Sequence, residues 1–194
     1  MRAKLQTPPT RRWREWIDPF LAVTAVVVSA ISLWVAIGTE QANRRMVAAA
    51  SWPLLQADTS DLNSTITFSV LNGGVGPAKL KTFELFWNGK AWPGADAFLA
   101  ACCGYRASDA KSPGLTTGGV SGIVIRAGEN HFFLSMSERA DNPGVWKKLD
   151  RTRRQVTFRA CYCSVFDECW IATLQNLEPK PVRICPAVKV LYIE

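Results

Sequence analysis

Histidine is almost missing from this chain: His131, in "ENHFF", is the only one among 194 residues. A Cys/His pair would have to recruit it as the base that makes a thiolate, and a histidine beside two phenylalanines reads more simply as a strand residue. No GxSxG elbow is present for a Ser/His/Asp arrangement. The glycines of "NGGVGP" are followed neither by Lys-Ser/Thr nor by a helix start, which excludes a phosphate loop and leaves turn chemistry. There is no βαβ alternation and no internal repeat. Catalytic residues, cofactors and a metal site are therefore not expected.

A strong charge of one sign is also lacking once the formal +7 is divided. Residues 1–50 hold seven Lys/Arg against three acids, and residues 51–194 hold sixteen against thirteen. A domain so weakly basic gives no reason to expect a nucleic-acid partner. The 48% apolar composition excludes a disordered chain.

From Pro19 to Thr39 charge is absent altogether: "PFLAVTAVVVSAISLWVAIGT" runs for 21 residues without an acid or a base. As a helix it reaches about 30 Å, the hydrocarbon thickness of a bilayer. Val and Ile are modest helix formers in water, but lipid offers the backbone no other hydrogen-bond partner. Trp13, Trp16 and Trp34 lie near its ends, where indoles suit the headgroup region. "VAAAS", Val47 to Ser51, resembles a signal-peptidase site, yet Glu40, Arg44 and Arg45 separate it from an apolar run longer than a usual signal core. An uncleaved anchor is expected.

Arg2, Lys4, Arg11, Arg12 and Arg14 precede the run, whereas Arg44 and Arg45 alone follow it closely, so the N-terminus belongs in the cytoplasm. The expected organisation is a basic cytoplasmic N-terminus (1–18), an inner-membrane span (19–39), a stalk (40–52) and a periplasmic or extracellular domain (53–194). Small residues at Ala22, Ala25, Ser29 and Ser32 would allow a helix-mediated oligomer.

Beyond Pro53 the period changes to two. "STITFSV" puts Ile66, Phe68 and Val70 on one face and Ser64, Thr67 and Ser69 on the other. "KLKTFELFWNG" alternates Phe83, Leu85 and Trp87, and Asn88-Gly89 would close a hairpin onto Trp92. "PGADAFLAACCGY" reads as a short helix, residues 108–122 as a Gly/Ser/Thr-rich loop, and "GIVIRAGENHFFLSMS" as two runs around a turn. A second short helix enters at Pro143. With "PLLQAD", the runs around "RACYCSVFDECWIA", and "VRICPAVKVLYI", the count is seven or eight strands. The expected class is all-β, an antiparallel sandwich with one N-terminal membrane helix and one or two short helices.

"VLNGGVGPAKL" resembles the turn between the second and third strands of bacterial Ig-like adhesion and CARDB-type domains, over about a dozen residues. A looser likeness reaches uncharacterised bacterial single-pass membrane proteins built from one helix, a Trp-Pro junction and an "NxGxGPA" β-domain. The resemblance implies an Ig-like sandwich and carries over no catalytic residue.

Six cysteines remain: Cys102, Cys103, Cys161, Cys163, Cys169 and Cys185. Opposing Cys163 to Cys169 also opposes Tyr162 to Trp170, Ala160 to Ala172 and Phe158 to Leu174 on one apolar face, with Cys161 against Ile171 and Arg159 against Thr173 on the other. A slip by two residues would oppose Cys161 to Cys169 and set Tyr162 against Glu168. Directly opposed residues lie within disulfide reach. The other four cysteines would form two longer bridges, although six cysteines allow 15 pairings. Zinc knuckles want two Cys-x2–4-Cys units, and Cys-x-Cys with an adjacent pair fits them poorly.

Lys147, Lys148, Arg151, Arg153 and Arg154 in "WKKLDRTRR" form a solvated face or a contact for anionic lipid or a partner. The function expected is a membrane-anchored extracytoplasmic binding module acting on another membrane or envelope protein. The alternative is a signalling effector whose β-domain senses a ligand in the cytoplasm while its helices assemble.

Overall fold

The computed structural model describes residues 11–106, 114–175 and 178–193, with side chains from residue 19 onward. The chain divides into two compact units, the first ending at Val47 and the second beginning at Ala48.

The first unit is helical. Helix α1, Arg11–Ala50, runs 40 residues and contains a stretch of mean hydropathy 2.5 with none of it buried. By length and composition it is long and apolar enough to cross a membrane. Three of its hydroxyls bond back to the helix: Thr24 donates to the Phe20 carbonyl at 3.0 Å, Ser29 to Ala25 at 2.7 Å and Thr39 to Val35 at 2.6 Å. Such back-bonding suits a polar group with no water to turn to. The helix continues without a break past the apolar run through Glu40, which pairs with Arg44 one turn on, and ends at Ala50, three residues before Pro53.

Among the described residues, the second unit holds ten strands and two short helices. Strand β1 (Leu55–Leu62) pairs with β2 (Thr65–Asn72) through a two-residue turn. Asn63 and Ser64 both have positive φ, the requirement of a type I′ turn, which matches strand twist. The alternation in β2 is realised: Ile66, Phe68 and Val70 are fully buried. Ser69, expected on a wet face, is buried opposite Phe132, which shares its face. Strand β3 (Ala78–Trp87) turns at Asn88-Gly89, again with both φ positive, into β4 (Lys90–Trp92). Helix α2 (Ala95–Cys103) follows, ended by Gly104 in the left-handed region.

Next come β5 (Leu115–Thr117), β6 (Val124–Ile125) and β7 (Asn130–Ser137), then α3 (Pro143–Arg153) with proline in its first turn. Strands β8 (Thr157–Cys163), β9 (Cys169–Thr173) and β10 (Lys180–Val182) complete the set. One sheet has the order β1-β2-β7-β5. The other has the order β10-β9-β8-β3-β4, with β6 also on β3. Every ladder is antiparallel. The runs around the "AGEN" turn thus enter different sheets.

One buried cluster draws on both sheets and on α2 and α3. A bulge in β7 leaves Phe133 without an opposite residue, and its ring lies 5.1 Å from Phe83 and 5.6 Å from Phe158, each edge to face. Such pairs add to stability beyond the area they bury. Phe98 of α2 meets Phe68 at 6.3 Å.

Two expectations need correction. Ten strands among the described residues replace seven or eight because β4 and β5, which fall outside that count, have three residues each, too few for alternation to show; β5 lies within the stretch read as loop, of which 108–113 are outside the described residues. The run "VRICPAVKVLYI" contributes only Val182 to a strand. Cys185 is tied to Cys161 and Pro186 has no N–H for a ladder, so the chain crosses β8 and β9 instead of pairing with them.

Candidate functional site

The notable surface is the face of the larger sheet turned away from the core. Its register puts Lys79, Cys163, Cys169 and Val182 in one row, Thr82, Cys161, Ile171 and Lys180 in the next, and Glu84, Arg159 and Thr173 in a third. A bulge at Lys81 shifts β3 between the first two rows. The β8–β9 register is the one that opposes Cys163 to Cys169, and Ser164 closes the loop by donating to the Glu168 carbonyl at 2.8 Å.

Over this face passes the segment 183–190, a strap. At one end Cys185 is bonded to Cys161. At the other, the Tyr192 N–H donates to the Phe83 carbonyl at 2.9 Å, and its ring is buried against Phe83 and Phe133. Tyr192 thereby fills the stretch of β3's edge between β6 and β4.

Between strap and sheet is a cavity of about 460 Å³ with mostly apolar walls, including Phe86, Ala91, Ile171, Pro186 and Val188. Its volume falls in the range of small-ligand sites. One charged pair sits in its floor: Arg159 donates to Glu84 at 2.7 and 3.0 Å. Glu84 is 5% exposed and Arg159 50%, so the carboxylate is withdrawn from water while the guanidinium reaches it. The hydrogen bond to Glu84 holds Arg159 above its ordinary pKa against the opposing effect of burial. Arg159 also lies 5.0 Å over the ring of Phe86.

A second cavity, about 470 Å³, adjoins the first, sharing Thr82, Pro186 and Ala187 in its walls. It is lined by Cys163, Cys169 and Cys185, with Lys81 and Arg183 beside them. Lys79 pairs with Asp167 at its rim, and that hydrogen bond lowers the Asp167 pKa.

All six cysteines are bonded: Cys163 to Cys169, Cys161 to Cys185 and Cys102 to Cys103. The expectation of two longer bridges is corrected to one, since Cys102 and Cys103 are neighbours in sequence at the end of α2, away from the hairpin. The Sγ atoms of Cys163, Cys169 and Cys185 all lie within 4.8 Å of one another.

The five basic residues expected as a patch lie on or just after α3, where Lys147, Lys148, Arg151 and Arg154 are exposed. Arg153 is not part of that surface. It turns inward to Asp150 at 2.8 Å and to the Thr59 carbonyl of β1 at 3.1 Å. His131 is a residue of β7, its Nε2 2.9 Å from the Gly119 carbonyl oxygen. Trp87 and Trp92 pack partly buried against the core, 6.3 Å apart.

Sequence reasoning missed what "NGGVGP" accomplishes. Asn72 is fully buried, and its side chain makes four hydrogen bonds: Oδ1 accepts from Leu54 N and Gly74 N, and Nδ2 donates to Gly76 O and Ile125 O. A Cβ at Gly74 would stand 2.4 Å from Leu54 N, and one at Gly76 2.0 Å from Ser51 O. The motif is a clamp on residues 51–54, with Val75 N donating to Trp52 O at 3.0 Å. An asparagine preceding closely spaced glycines was the available signal. No family model, curated protein or solved structure matches the chain.

Proposed function

We propose that the chain is a membrane-anchored binding module with no enzymatic activity of its own. In this reading α1 crosses the inner membrane once with its N-terminus in the cytoplasm. The two sheets form an Ig-like sandwich on the far side. The roofed groove between strap and sheet receives a short apolar segment of another membrane or envelope protein. The observation that carries the reading is the groove itself: apolar walls around one half-exposed guanidinium, under a roof fixed at both ends. Apolar walls supply the affinity, and a few polar groups, Arg159 with Lys189 and Thr82, fix orientation.

The test is photo-crosslinking in membranes, with the probe at Ala187 of the full chain. Capture of one envelope protein is expected, and Ile171→Glu, which sets a carboxylate on the groove floor, should abolish it without lowering the melting temperature of the free protein. Capture indifferent to Ile171→Glu would refute the site. A turnover activity lost in His131→Ala would replace the module by an enzyme.

A further inference from the structure

We infer that the hairpin disulfide and the strap disulfide form a thiol–disulfide exchange relay, whose substrate is a small or protein thiol entering the cavity lined by Cys163, Cys169 and Cys185. The exchange is one stoichiometric transfer per chain, spent on its own two disulfides, and not a turnover; it stands apart from whatever occupies the groove.

Cys163 Sγ lies 3.9 Å from Cys185 Sγ, although each is bonded to a different partner. The Cys-x-Cys spacing sets Cys161 and Cys163 in neighbouring rows of one face of β8, so the strap cysteine bonded to Cys161 is held within reach of Cys163. Exchange proceeds by attack of a thiolate on a disulfide sulfur, so a sulfur already beside its target needs little motion. The cavity gives an external thiol access, and Cys169, at 7% exposed, is more open than Cys163 at 3%. Lys81 and Arg183 line the same cavity and favour a thiolate formed there. Asp167, the carboxylate lining it, is occupied by Lys79.

The steps balance without an outside oxidant. An incoming thiolate attacks Cys169 Sγ; a mixed disulfide forms, the Cys163–Cys169 bond breaks, and Cys163 leaves as a thiolate. Cys163 then attacks Cys185 Sγ; the Cys163–Cys185 bond forms, the Cys161–Cys185 bond breaks, and Cys161 takes up the proton that the incoming thiol gave up. Two disulfides are present before and after. The free thiol has moved from the visitor to Cys161, which lies in the wall of the neighbouring groove. A second thiol equivalent at the mixed disulfide releases the visitor as its own disulfide and leaves Cys169 reduced. The strap stays tethered throughout, by Cys163 in place of Cys161.

The experiment uses the full chain in detergent, limiting glutathione, rapid alkylation and peptide mapping. Glutathione on Cys169, alkyl label on Cys161 and a Cys163–Cys185 linkage are expected. Label on Cys163 beside an intact Cys161–Cys185 bridge would overturn the relay, because it describes simple opening of the hairpin bond. Cys169→Ser gives an independent reading, since it leaves Cys163 unpaired from the start: label is expected to shift from Cys163 to Cys161, and its confinement to Cys163 in a protein that still melts cooperatively refutes the proposal. Stoichiometric zinc on four reduced cysteines in the protein as isolated would refute it as well.

Discussion

Arg159 and Glu84 meet in a two-pronged ion pair across β8 and β3, 75 residues apart in sequence and adjacent in the fold. The carboxylate is the partner that has given up water, so the pair is asymmetric: losing the arginine strands a buried charge, whereas losing the glutamate frees a guanidinium that solvent already reaches. Arg159→Ala is expected to cost about 2 kcal/mol after allowance for the half-exposed arginine. Glu84→Gln should cost less. Equal losses in urea unfolding would contradict the asymmetry.

Asn72 should be among the costliest polar residues to replace. Asn72→Ala removes the partners of Leu54 N, Gly74 N, Gly76 O and Ile125 O together, an expected loss of about 3 kcal/mol or more. Gly76→Ala should approach it for a different reason, the contact with Ser51 O. Calorimetric melting temperatures check both, and an Asn72→Ala change within the scatter of surface substitutions would dismiss the clamp.

Legibility in the sequence followed distance along the chain. The hairpin from Thr157 to Thr173 could be read to the residue because its alternation and two cysteines constrain the same register. The Asn88-Gly89 turn is likewise local, whereas Ser64, read as a strand residue, belongs to the turn before β2. Asn72 reaches 53 residues to Ile125, and Arg159 reaches 75 to Glu84; no pattern in one chain announces such partners. The last residues misled for a physical reason: Val188, Val190 and Tyr192 alternate as a strand would, but their tether and proline route them across the sheet, and Tyr192 N–H alone reaches β3. The groove exists because of that crossing, so it was invisible beforehand.

The two hairpin-face disulfides should contribute unequally. Cys163–Cys169 spans 6 residues and Cys161–Cys185 spans 24. On the chain-entropy model these loops are worth about 2 and about 3.5 kcal/mol. Cys161→Ala/Cys185→Ala should therefore unfold at lower denaturant than Cys163→Ala/Cys169→Ala, and it should also release the strap to protease. The opposite order would show that native-state strain outweighs loop closure.

Alkaline stability should carry the mark of Tyr162. Burial pushes its phenol from 10.0 up to about 12, so between those values the folded protein keeps a proton that the unfolded chain gives up. The contribution is whole below pH 10 and is lost as pH rises through 12, about 2–3 kcal/mol in all for a shift of this size. Tyrosinate absorbance in the near ultraviolet should show one late step, missing in Tyr162→Phe; if the variant titrates like the parent, the step belongs to another phenol.

Membrane orientation is the prediction on which most of the biology turns. Five basic residues stand before the apolar run and two close after it, and that bias sets which end stays in the cytoplasm. Lysines report it without touching the disulfides: Lys4 precedes the helix in sequence, and the exposed Lys147 and Lys148 follow it. An amine reagent that does not cross the membrane should modify Lys147 and Lys148 in spheroplasts and reach Lys4 only after lysis. If the charge bias is the cause, moving it should move the protein, so replacing Arg2, Lys4, Arg11, Arg12 and Arg14 by Gln and adding lysines at Glu40 and Gln41 is expected to reverse the labelling in a share of molecules. Those inverted molecules would carry their β-domain into a reducing compartment, and the Cys161–Cys185 tether should then be recovered as thiols. Labelling of Lys4 in intact spheroplasts of the parent would invert the topology, and the groove would face the cytoplasm.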